Sequence, residues 1–315
     1  MKRKLFDILL LLAMIGLSAC RPASVTAPAS SNTPIATSAV APTATRTAFQ
    51  PAAPTTTITP VPPPPVRFAV IGDFGLAGPA EQAVADLVHS WQPDFIVTTG
   101  DNNYPDGEHA TVKTNVLQYY GDDIRRGRFF PALGNHDWRK GIDSFLHDLR
   151  PPGQRRYYDF VRGAVHIFVL DSDYREPDGN AADSRQAEWL RTGLQASDSP
   201  WNIVIVHHPP YSSGKHGDQE RLQWPYAQWG ADAVIAGHDH DYERILRDGI
   251  VYFVNGLGGI PGPYYFHNPP TEGSVVRYRD NYGALRVTAT AQRLTFEFIT
   301  IDGKTIDTYT LEASP

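Results

Sequence analysis

Short apolar runs recur along the chain from residue 66 onward, and each is followed closely by Gly, Asp or His. The runs are short and rich in Val, Ile, Phe and Ala, which is typical of buried β-strands. We predict strands at 66–71, 94–99, 129–133, 165–170, 202–206 and 233–236.

Apolar positions at helical spacing lie between the first two predicted strands, from Ala80 through Val84 and Val88 to Trp91. This pattern predicts an amphipathic crossover helix and therefore a parallel β-α-β unit. A second helix is predicted over 182–194. From residue 251 onward the pattern changes to strands and turns, with antiparallel strands predicted at 252–255, 283–291 and 294–301. The sequence therefore predicts an α/β fold whose mixed sheets bind ligands at the carboxyl ends of their strands.

The N-terminal segment 1–20 has the features of a signal peptide. Lys2, Arg3 and Lys4 precede an apolar run over 8–17 that is too short to span a bilayer. The ending Leu17-Ser18-Ala19-Cys20 resembles a bacterial lipobox, in which the cysteine becomes lipidated. Cys20 is the single cysteine of the chain, so an internal disulfide is excluded. We expect an extracytoplasmic protein anchored to the bacterial cell envelope. Cleavage elsewhere, with an unmodified cysteine, is the alternative.

Composition separates the rest of the chain into two parts. Residues 21–65 contain 11 Pro, 10 Thr, 10 Ala and 4 Ser and lack acidic residues, which predicts a disordered tether. Residues 66–315 are long enough for one large domain with a substantial core and contain 23 Lys and Arg against 33 Asp and Glu. A domain with this excess of acidic residues lacks the basic surface that binding a nucleic acid duplex requires.

Five blocks rich in possible metal ligands follow the predicted strands. They are Gly72-Asp73-Phe74-Gly75, Gly100-Asp101-Asn102-Asn103-Tyr104, Gly134-Asn135-His136-Asp137, Val204-Ile205-Val206-His207 and Gly237-His238-Asp239-His240. Carboxylate, amide, phenol and imidazole groups suit Fe, Mn or Zn. Because parallel strands end at the same edge of a sheet, the blocks predict one shared site.

In order, the five blocks resemble the motifs GDxG, GDxxY, GNH[DE], VxxH and GHxH of the purple acid phosphatases. These enzymes are a branch of the calcineurin-like metallophosphoesterases, and the resemblance spans about residues 66–315. It implies a four-layer αββα sandwich of mixed sheets that binds two metal ions.

The resemblance also implies the ligands, carried over position by position. One ion would be bound by Asp73, Asp101, Tyr104 and His240, and the other by Asp101, Asn135, His207 and His238, with Asp101 bridging. The first set favours Fe(III), and the second favours a divalent ion such as Fe, Zn or Mn. Most calcineurin-like enzymes have a histidine where this chain has Gly75, so Tyr104 would supply the missing ligand.

Several residues near the motifs receive further roles. The VxxH spacing selects His207 as the ligand, and the swapped assignment to His208 stays open. His136 and His216 are the catalytic candidates, because either imidazole could bind phosphate oxygens and protonate the leaving alcohol. Asp137 and Asp239 are expected to orient neighbouring groups, and Asp171 to support the site or cap a turn.

The implied activity is hydrolysis of a small phosphomonoester by attack of a metal-bound hydroxide, as in an acid phosphatase. One rival is a phosphodiesterase or nucleotidase of the same fold. The other is a non-catalytic binding protein at the cell surface. The aromatic stretch 255–266, which includes Tyr264, is either a rim over the site or an exposed turn.

If Cys20 is the lipidated residue, Cys20→Ala should abolish lipid labelling and release the protein from the membrane fraction. Metabolic labelling with a fatty-acid analogue, followed by fractionation, measures both effects. Unchanged labelling and membrane retention in the variant would contradict the lipobox interpretation.

Overall fold

The computed structural model describes residues 64–313. The predicted signal peptide over 1–20, and the predicted tether as far as residue 63, lie outside the described residues. Among residues 64–313, every helix is too short or too polar to be a membrane span.

The described residues form two mixed β-sheets. In chain order the strands are β1 (Val66–Ile71), β2 (Phe95–Thr98), β3 (Phe129–Phe130), β4 (Tyr158–Arg162), β5 (Val165–Val169), β6 (Trp201–Ile205), β7 (Ala233–Ala236), β8 (Tyr242–Arg247), β9 (Ile250–Asn255), β10 (Ser274–Tyr278), β11 (Gly283–Ala289), β12 (Arg293–Thr300) and β13 (Thr305–Glu312). The first sheet has the order β13-β12-β11-β1-β2-β3, and the second has the order β10-β8-β9-β7-β6-β5-β4.

Helices connect and cover the strands. The α-helices are α1 (Pro79–Ser90), α2 (His109–Val112), α3 (Gln118–Arg125), α4 (Arg185–Gln195) and α5 (Tyr226–Trp229). A π-helical turn, Lys113–Leu117, joins α2 to α3, and another covers Phe145–Leu149. Short 3₁₀ turns cover Pro152–Gln154 and Glu220–Leu222.

Alternating side chains divide the core into three apolar layers, which gives the molecule its layered order. From β1, Phe68 and Val70 point between the two sheets, where they join Ile203 and Ile205 of β6. The intervening Ala69 and Ile71 pack with α1 and α3 on the outer face of the first sheet. The second sheet packs its outer face on α4 and α5. The order helix, sheet, sheet, helix confirms the predicted αββα sandwich.

Strands β1, β2, β6 and β7 are present within a residue of their predicted bounds, whereas the run predicted over 129–133 is a strand only at β3 (Phe129–Phe130). The helix predicted to follow β1 is α1, and the one predicted over 182–194 is α4, which begins after Ser184. The Ser184 hydroxyl accepts a hydrogen bond from the Ala187 amide at 3.1 Å, so it caps the helix. Strands β1 to β3 are parallel, as are β5, β6 and β7, so their carboxyl ends lie at one edge of each sheet.

One strand direction differs from the prediction. The run 252–255, predicted as antiparallel, belongs to β9, which is antiparallel to β8 but parallel to β7. An apolar run does not encode the direction of its neighbours, and β8 was not predicted from the sequence. The β8–β9 hairpin turns at Asp248 and Gly249, both with positive φ, as tight hairpin turns require.

One buried carboxyl group, on α1, belongs to a residue for which the sequence predicted no role. Glu81 is fully buried, and within residues 64–313 neither of its carboxyl oxygens has a hydrogen-bond partner. Burial raises the pKa of Glu81 from its ordinary value of 4.5 to about 9. The folded protein therefore holds this proton at pH values where the unfolded chain has released it.

We expect the stability of the protein to fall as pH rises from 4.5 to about 9 because of Glu81. Below 4.5 both states are protonated and the carboxyl costs nothing extra. Above pH 4.5 the unfolded state becomes more stable relative to the folded state, by up to about 1.4 kcal/mol per pH unit. Glu81→Gln should remove this dependence and raise the free energy of unfolding at pH 8 by at least about 1 kcal/mol. Urea unfolding at a series of pH values measures it.

The matched control for this prediction is Glu188→Gln on α4, which makes the same change in an exposed side chain paired with Arg191. It should leave the pH dependence of unfolding as in the wild type. A Glu81→Gln protein with the wild-type pH profile would contradict the assignment of a buried, protonated carboxyl.

Candidate metal centre

The predicted ligands lie together at the carboxyl ends of strands from both sheets. Asp73 follows β1, Asp101 follows β2 and Asn135 lies in the loop after β3, all in the first sheet. His207 and His238 follow β6 and β7 of the second sheet. The site therefore straddles the two sheets at one end of the sandwich.

The first group consists of the residues predicted for one ion: Asp73, Asp101, Tyr104 and His240. The Tyr104 hydroxyl lies 3.0 Å from Asp101 Oδ2, 3.4 Å from Asp73 Oδ1 and 3.5 Å from His240 Nε2. His240 Nε2 is 3.7 Å from Asp73 Oδ1. Four possible ligand atoms from three loops thus converge on one point.

The second group consists of the residues predicted for the other ion: Asp101, Asn135, His207 and His238. His207 Nδ1 donates to the Thr99 carbonyl at 2.9 Å, which leaves its Nε2 facing the site. That Nε2 lies 3.0 Å from Asn135 Oδ1 and 3.5 Å from Asp101 Oδ1. With the ring neutral, three electron-pair donors would face one another, an arrangement that a cation between them would stabilise. A metal ion fits this arrangement.

Asp101 is the member that the two groups share. Its Oδ2 faces Tyr104 of the first group, and its Oδ1 faces His207 of the second. The Asp101 Oδ1 also accepts a hydrogen bond from the backbone amide of His136 at 2.8 Å, which fixes the orientation of the carboxylate. This geometry fits the bridging role predicted for Asp101.

His207 and His208 lie side by side near the second group. A ring nitrogen of His208 lies within 4.8 Å of one on His207 and one on His238. Its Nδ1, however, lies 2.8 Å from the Ser172 hydroxyl, whereas His207 points at both Asn135 and Asp101. The geometry supports His207 as the ligand, and the assignment stays a prediction.

Gly75 explains why a tyrosine takes part in the first group. A Cβ at residue 75 would come within 1.8 Å of the Asn102 carbonyl oxygen, so no larger side chain fits there. The loop after β2 occupies that space, and the Tyr104 amide donates to the Gly75 carbonyl at 2.7 Å. The backbone thus excludes a histidine at residue 75 while it holds Tyr104 beside Asp73.

Three of the predicted ligands have strained backbones. Asp73, Asp101 and His238 have φ values of 54°, 52° and 70°, in the left-handed region that L-residues rarely adopt. Each such residue costs about 1 kcal/mol or more, and such costs concentrate at functional sites. Gly100 precedes Asp101 with φ of 102°, and a Cβ there would come within 2.6 Å of His207 Nδ1.

Burial makes the first group electrostatically unstable without a cation. Burial, and then the charge of Asp101, raise the pKa of Asp73 well above its ordinary range. Burial and the same carboxylates raise the pKa of Tyr104, and burial lowers the pKa of His240 to about 4. Within residues 64–313, neither Asp73 nor Asp101 forms an ion pair with Lys or Arg. A metal ion would stabilise the ionised forms of these ligands.

The two catalytic candidates, His216 and His136, differ in their hydrogen-bond partners. His216 Nδ1 lies 2.9 Å from Oδ1 of the buried Asp239, which also accepts from the Ser212 hydroxyl at 2.6 Å. His136 Nδ1 lies 2.6 Å from the Pro105 carbonyl, and its Nε2 lies 3.0 Å from Nη2 of Arg139. Because a carbonyl only accepts and a guanidinium only donates, His136 is neutral, with its lone pair on Nε2. His216 instead faces a carboxylate, Asp239.

A cavity of about 180 Å³ opens over the two groups. Its lining includes Asp101, Asn135, His136, His216, His238 and His240. The remaining lining residues are Arg139 and Tyr264, whose ring stacks on His240 at a centroid distance of 3.9 Å. Part of the stretch 255–266 is therefore a wall of the cavity.

The aspartates outside the two groups hold the loops in place. Asp137 accepts hydrogen bonds from the backbone amides of Asn102 and Gly134. Asp171 accepts from the Trp138 indole at 3.0 Å.

Arg139, which also lines the cavity, was not singled out in the sequence. Its one signal was a position four residues after Asn135, where the loop can return to the site.

Family models match most of the described chain. Residues 66–242 match the model described as calcineurin-like phosphoesterase, and the chain belongs to this family. Residues 249–308 match the model described as iron/zinc purple acid phosphatase-like protein C. The molecule is thus a metallophosphoesterase of the purple acid phosphatase-like kind.

Individual relatives agree with this family. The chain is 29% identical to purple acid phosphatase 17 of Arabidopsis thaliana, over 61% of this chain and 68% of that protein. It is 23% identical to tartrate-resistant acid phosphatase type 5 of Mus musculus, over 81% of this chain and 92% of that protein.

Solved structures show the same fold. A purple acid phosphatase from yellow lupin (Lupinus luteus) seeds matches with a TM-score of 0.65 and 19% identity, over 79% of this chain and 54% of that one. GAP50, the anchor in the inner membrane complex of Plasmodium, matches with a TM-score of 0.65 and 18% identity, over 80% and 90%.

Proposed function

We propose that this protein is a phosphatase that hydrolyses phosphomonoesters at a centre of two metal ions. The main support is the geometry of the two ligand groups, which share Asp101 and lie at the floor of one cavity. The similarity to acid phosphatases in sequence supports the reaction class. Two ions held there would supply Lewis acidity toward the phosphoryl oxygens and an activated water.

The ligand chemistry supports different ions in the two groups. The first group offers two carboxylates and a phenolate, which favour Fe(III), and a tyrosinate bound to iron would give a purple colour. The second group offers an amide oxygen, imidazoles and the shared carboxylate, which suit divalent Zn, Fe or Mn. The iron/zinc description of the matched family model supports this pairing.

Around the ions, this chain's own side chains would bind phosphate and move a proton. His216, paired with Asp239, is the candidate that donates a proton to the departing alkoxide. The lone pair of His136 faces Arg139, so we assign His136 to holding the guanidinium in place. Tyr264 covers His240 and helps to exclude water from the first group.

Two rival functions remain. The first is a phosphodiesterase or nucleotidase, since the same metal centre could attack a diester. The second is a binding protein, and the similarity of the fold to GAP50, described as an anchor, gives this rival its support. The complete set of competent side chains favours catalysis over binding. The location stays the proposal made from the sequence, an envelope lipoprotein anchored through Cys20.

The function is tested by comparing hydrolysis of an aryl phosphate monoester and the matching diester by the full chain in detergent, from about pH 4 to 9. We expect faster monoester turnover with an acidic optimum, and two metal ions per chain. Asn135→Ala should lose one ion and lower kcat/KM by more than roughly 100-fold, since ligands matter more than their supporting groups.

Asn202→Ala is the control, because Asn202 lies at the opposite end of β6 and contacts the Gly230 carbonyl. It should keep both ions and the rate. Diester preference or a neutral optimum would favour the phosphodiesterase. Lack of turnover with both ions bound would favour the binding protein.

The proton donor is tested with leaving groups of different basicity. His216→Ala should lower the rate on an alkyl phosphate by about 100-fold or more, and much less on 4-nitrophenyl phosphate, whose leaving group departs without a proton. Metal content should not change. His109→Ala, which removes an exposed imidazole paired with Asp148, should leave both rates unchanged. Equal losses on both substrates would show that His216 is not the proton donor.

A further inference from the structure

Arg139 is a cation of the cavity lining whose guanidinium has no ligand in the proposed chemistry. It lines the cavity together with His216, His238 and Tyr264, and its side chain is 45% exposed. Its Nη2 lies 3.0 Å from His136 Nε2, and that nitrogen lies 3.9 Å from Asp101 Oδ2. The guanidinium is thus separated from the shared carboxylate by a single imidazole.

Most of the hydrogen-bonding capacity of Arg139 is free. Arginine has five N–H donors, and those of Arg139 reach the Pro105 carbonyl at 3.2 Å and His136 Nε2 at 3.0 Å. Among the described residues, its one carboxylate neighbour is Asp106, at 3.6 Å, beyond hydrogen-bond distance. Both of its hydrogen bonds anchor the guanidinium, and the remaining donors are left for a ligand.

The position of these free donors relative to the ions defines what they could bind. Beyond the predicted ligands, the cavity is lined by His136, Arg139, His216 and Tyr264, so the leaving group of a phosphoryl compound bound at the ligand groups would meet these side chains. A guanidinium there matches a planar carboxylate or the oxygens of a phosphate, with two parallel hydrogen bonds. A neutral alcohol in the same place would leave these donors to water.

We propose that Arg139 forms a second anion subsite beside the metal centre. This subsite selects phosphomonoesters whose leaving group carries a carboxylate next to the ester oxygen, and phosphoanhydrides whose leaving group is a second phosphate. The inference rests on the proposed phosphatase function and goes beyond it, because it names a substrate class and the residue that recognises it.

The test uses three small substrates and the metal-loaded full chain. 2-Phosphoglycolate carries a carboxylate beside the ester, 2-hydroxyethyl phosphate is its neutral analogue, and inorganic pyrophosphate carries the second phosphate. The readout is the ratio of kcat/KM for each anionic substrate to that for the neutral one. Because leaving-group basicity affects this ratio equally in every variant, comparing the ratio between variants cancels that effect.

Arg139→Gln should lower the ratio by about 10- to 100-fold, the usual effect of losing a hydrogen bond to a charged group. Lys140→Gln is the control. It removes the same charge from the next residue, whose ammonium pairs with Glu108 at 3.4 Å outside the cavity lining. It should leave the ratio at the wild-type value. The pyrophosphate and phosphoglycolate ratios show which anion the subsite prefers.

An unchanged ratio in Arg139→Gln would overturn the proposal. If all three kcat/KM values fell equally while the ratio stayed unchanged, Arg139 would serve only to position His136. If the wild type turns over none of them, the proposed function fails and the subsite is judged by binding. Calorimetric dissociation constants for 2-phosphoglycolate and 2-hydroxyethyl phosphate then give the same ratio. Equal binding of both by the wild type would also overturn the subsite.

Discussion

The convergence of buried acceptor atoms on Asp101 is the constraint on which the candidate site depends. Its carboxylate lies between a phenol and an imidazole, beside a second buried carboxylate, Asp73. These groups are almost fully buried, so water screens them poorly and the repulsion between the carboxylates is large. Without ions the site relieves it by raising the pKa of Asp73. With ions the same groups become a strong binding site. The strained backbones at Asp73, Asp101 and His238 persist because the surrounding loops hold them.

The sequence predicted the fold near the motifs best, because buried strands that end in Gly-Asp or Gly-His have strong patterns. The strands leading to Asp73, Asp101, His207 and His238 appear within a residue or so of their predicted bounds. Edge strands such as β4 were missed, because their exposed positions, including Val161, weaken the alternation. The antiparallel pairing of β9 with β8 agrees with the prediction, but its parallel pairing with β7 was missed, because an apolar run does not encode the direction of its neighbours.

The sequence predicted which residues form the site better than it predicted what each of them does. The two catalytic candidates, His136 and His216, could not be told apart, since both are histidines beside motifs. Their partners separate them: Asp239 holds one and Arg139 the other. Such contacts join residues from different loops, and no local pattern encodes them. The steric reason for Gly75 was equally hidden, because it depends on the path of the loop after β2.

The distribution of the two ligand groups over both sheets has a consequence for the order of assembly. The first sheet provides Asp73, Asp101 and Asn135, and the second provides the histidines, ending with His240. A chain that has emerged only as far as the loop after β3 has carboxylates but lacks every imidazole of either group. Contacts so distant in sequence carry a large loop-closure cost and slow folding. Any ions would therefore meet a complete ligand set only after one sheet has docked on the other, and would then resist the separation of the sheets.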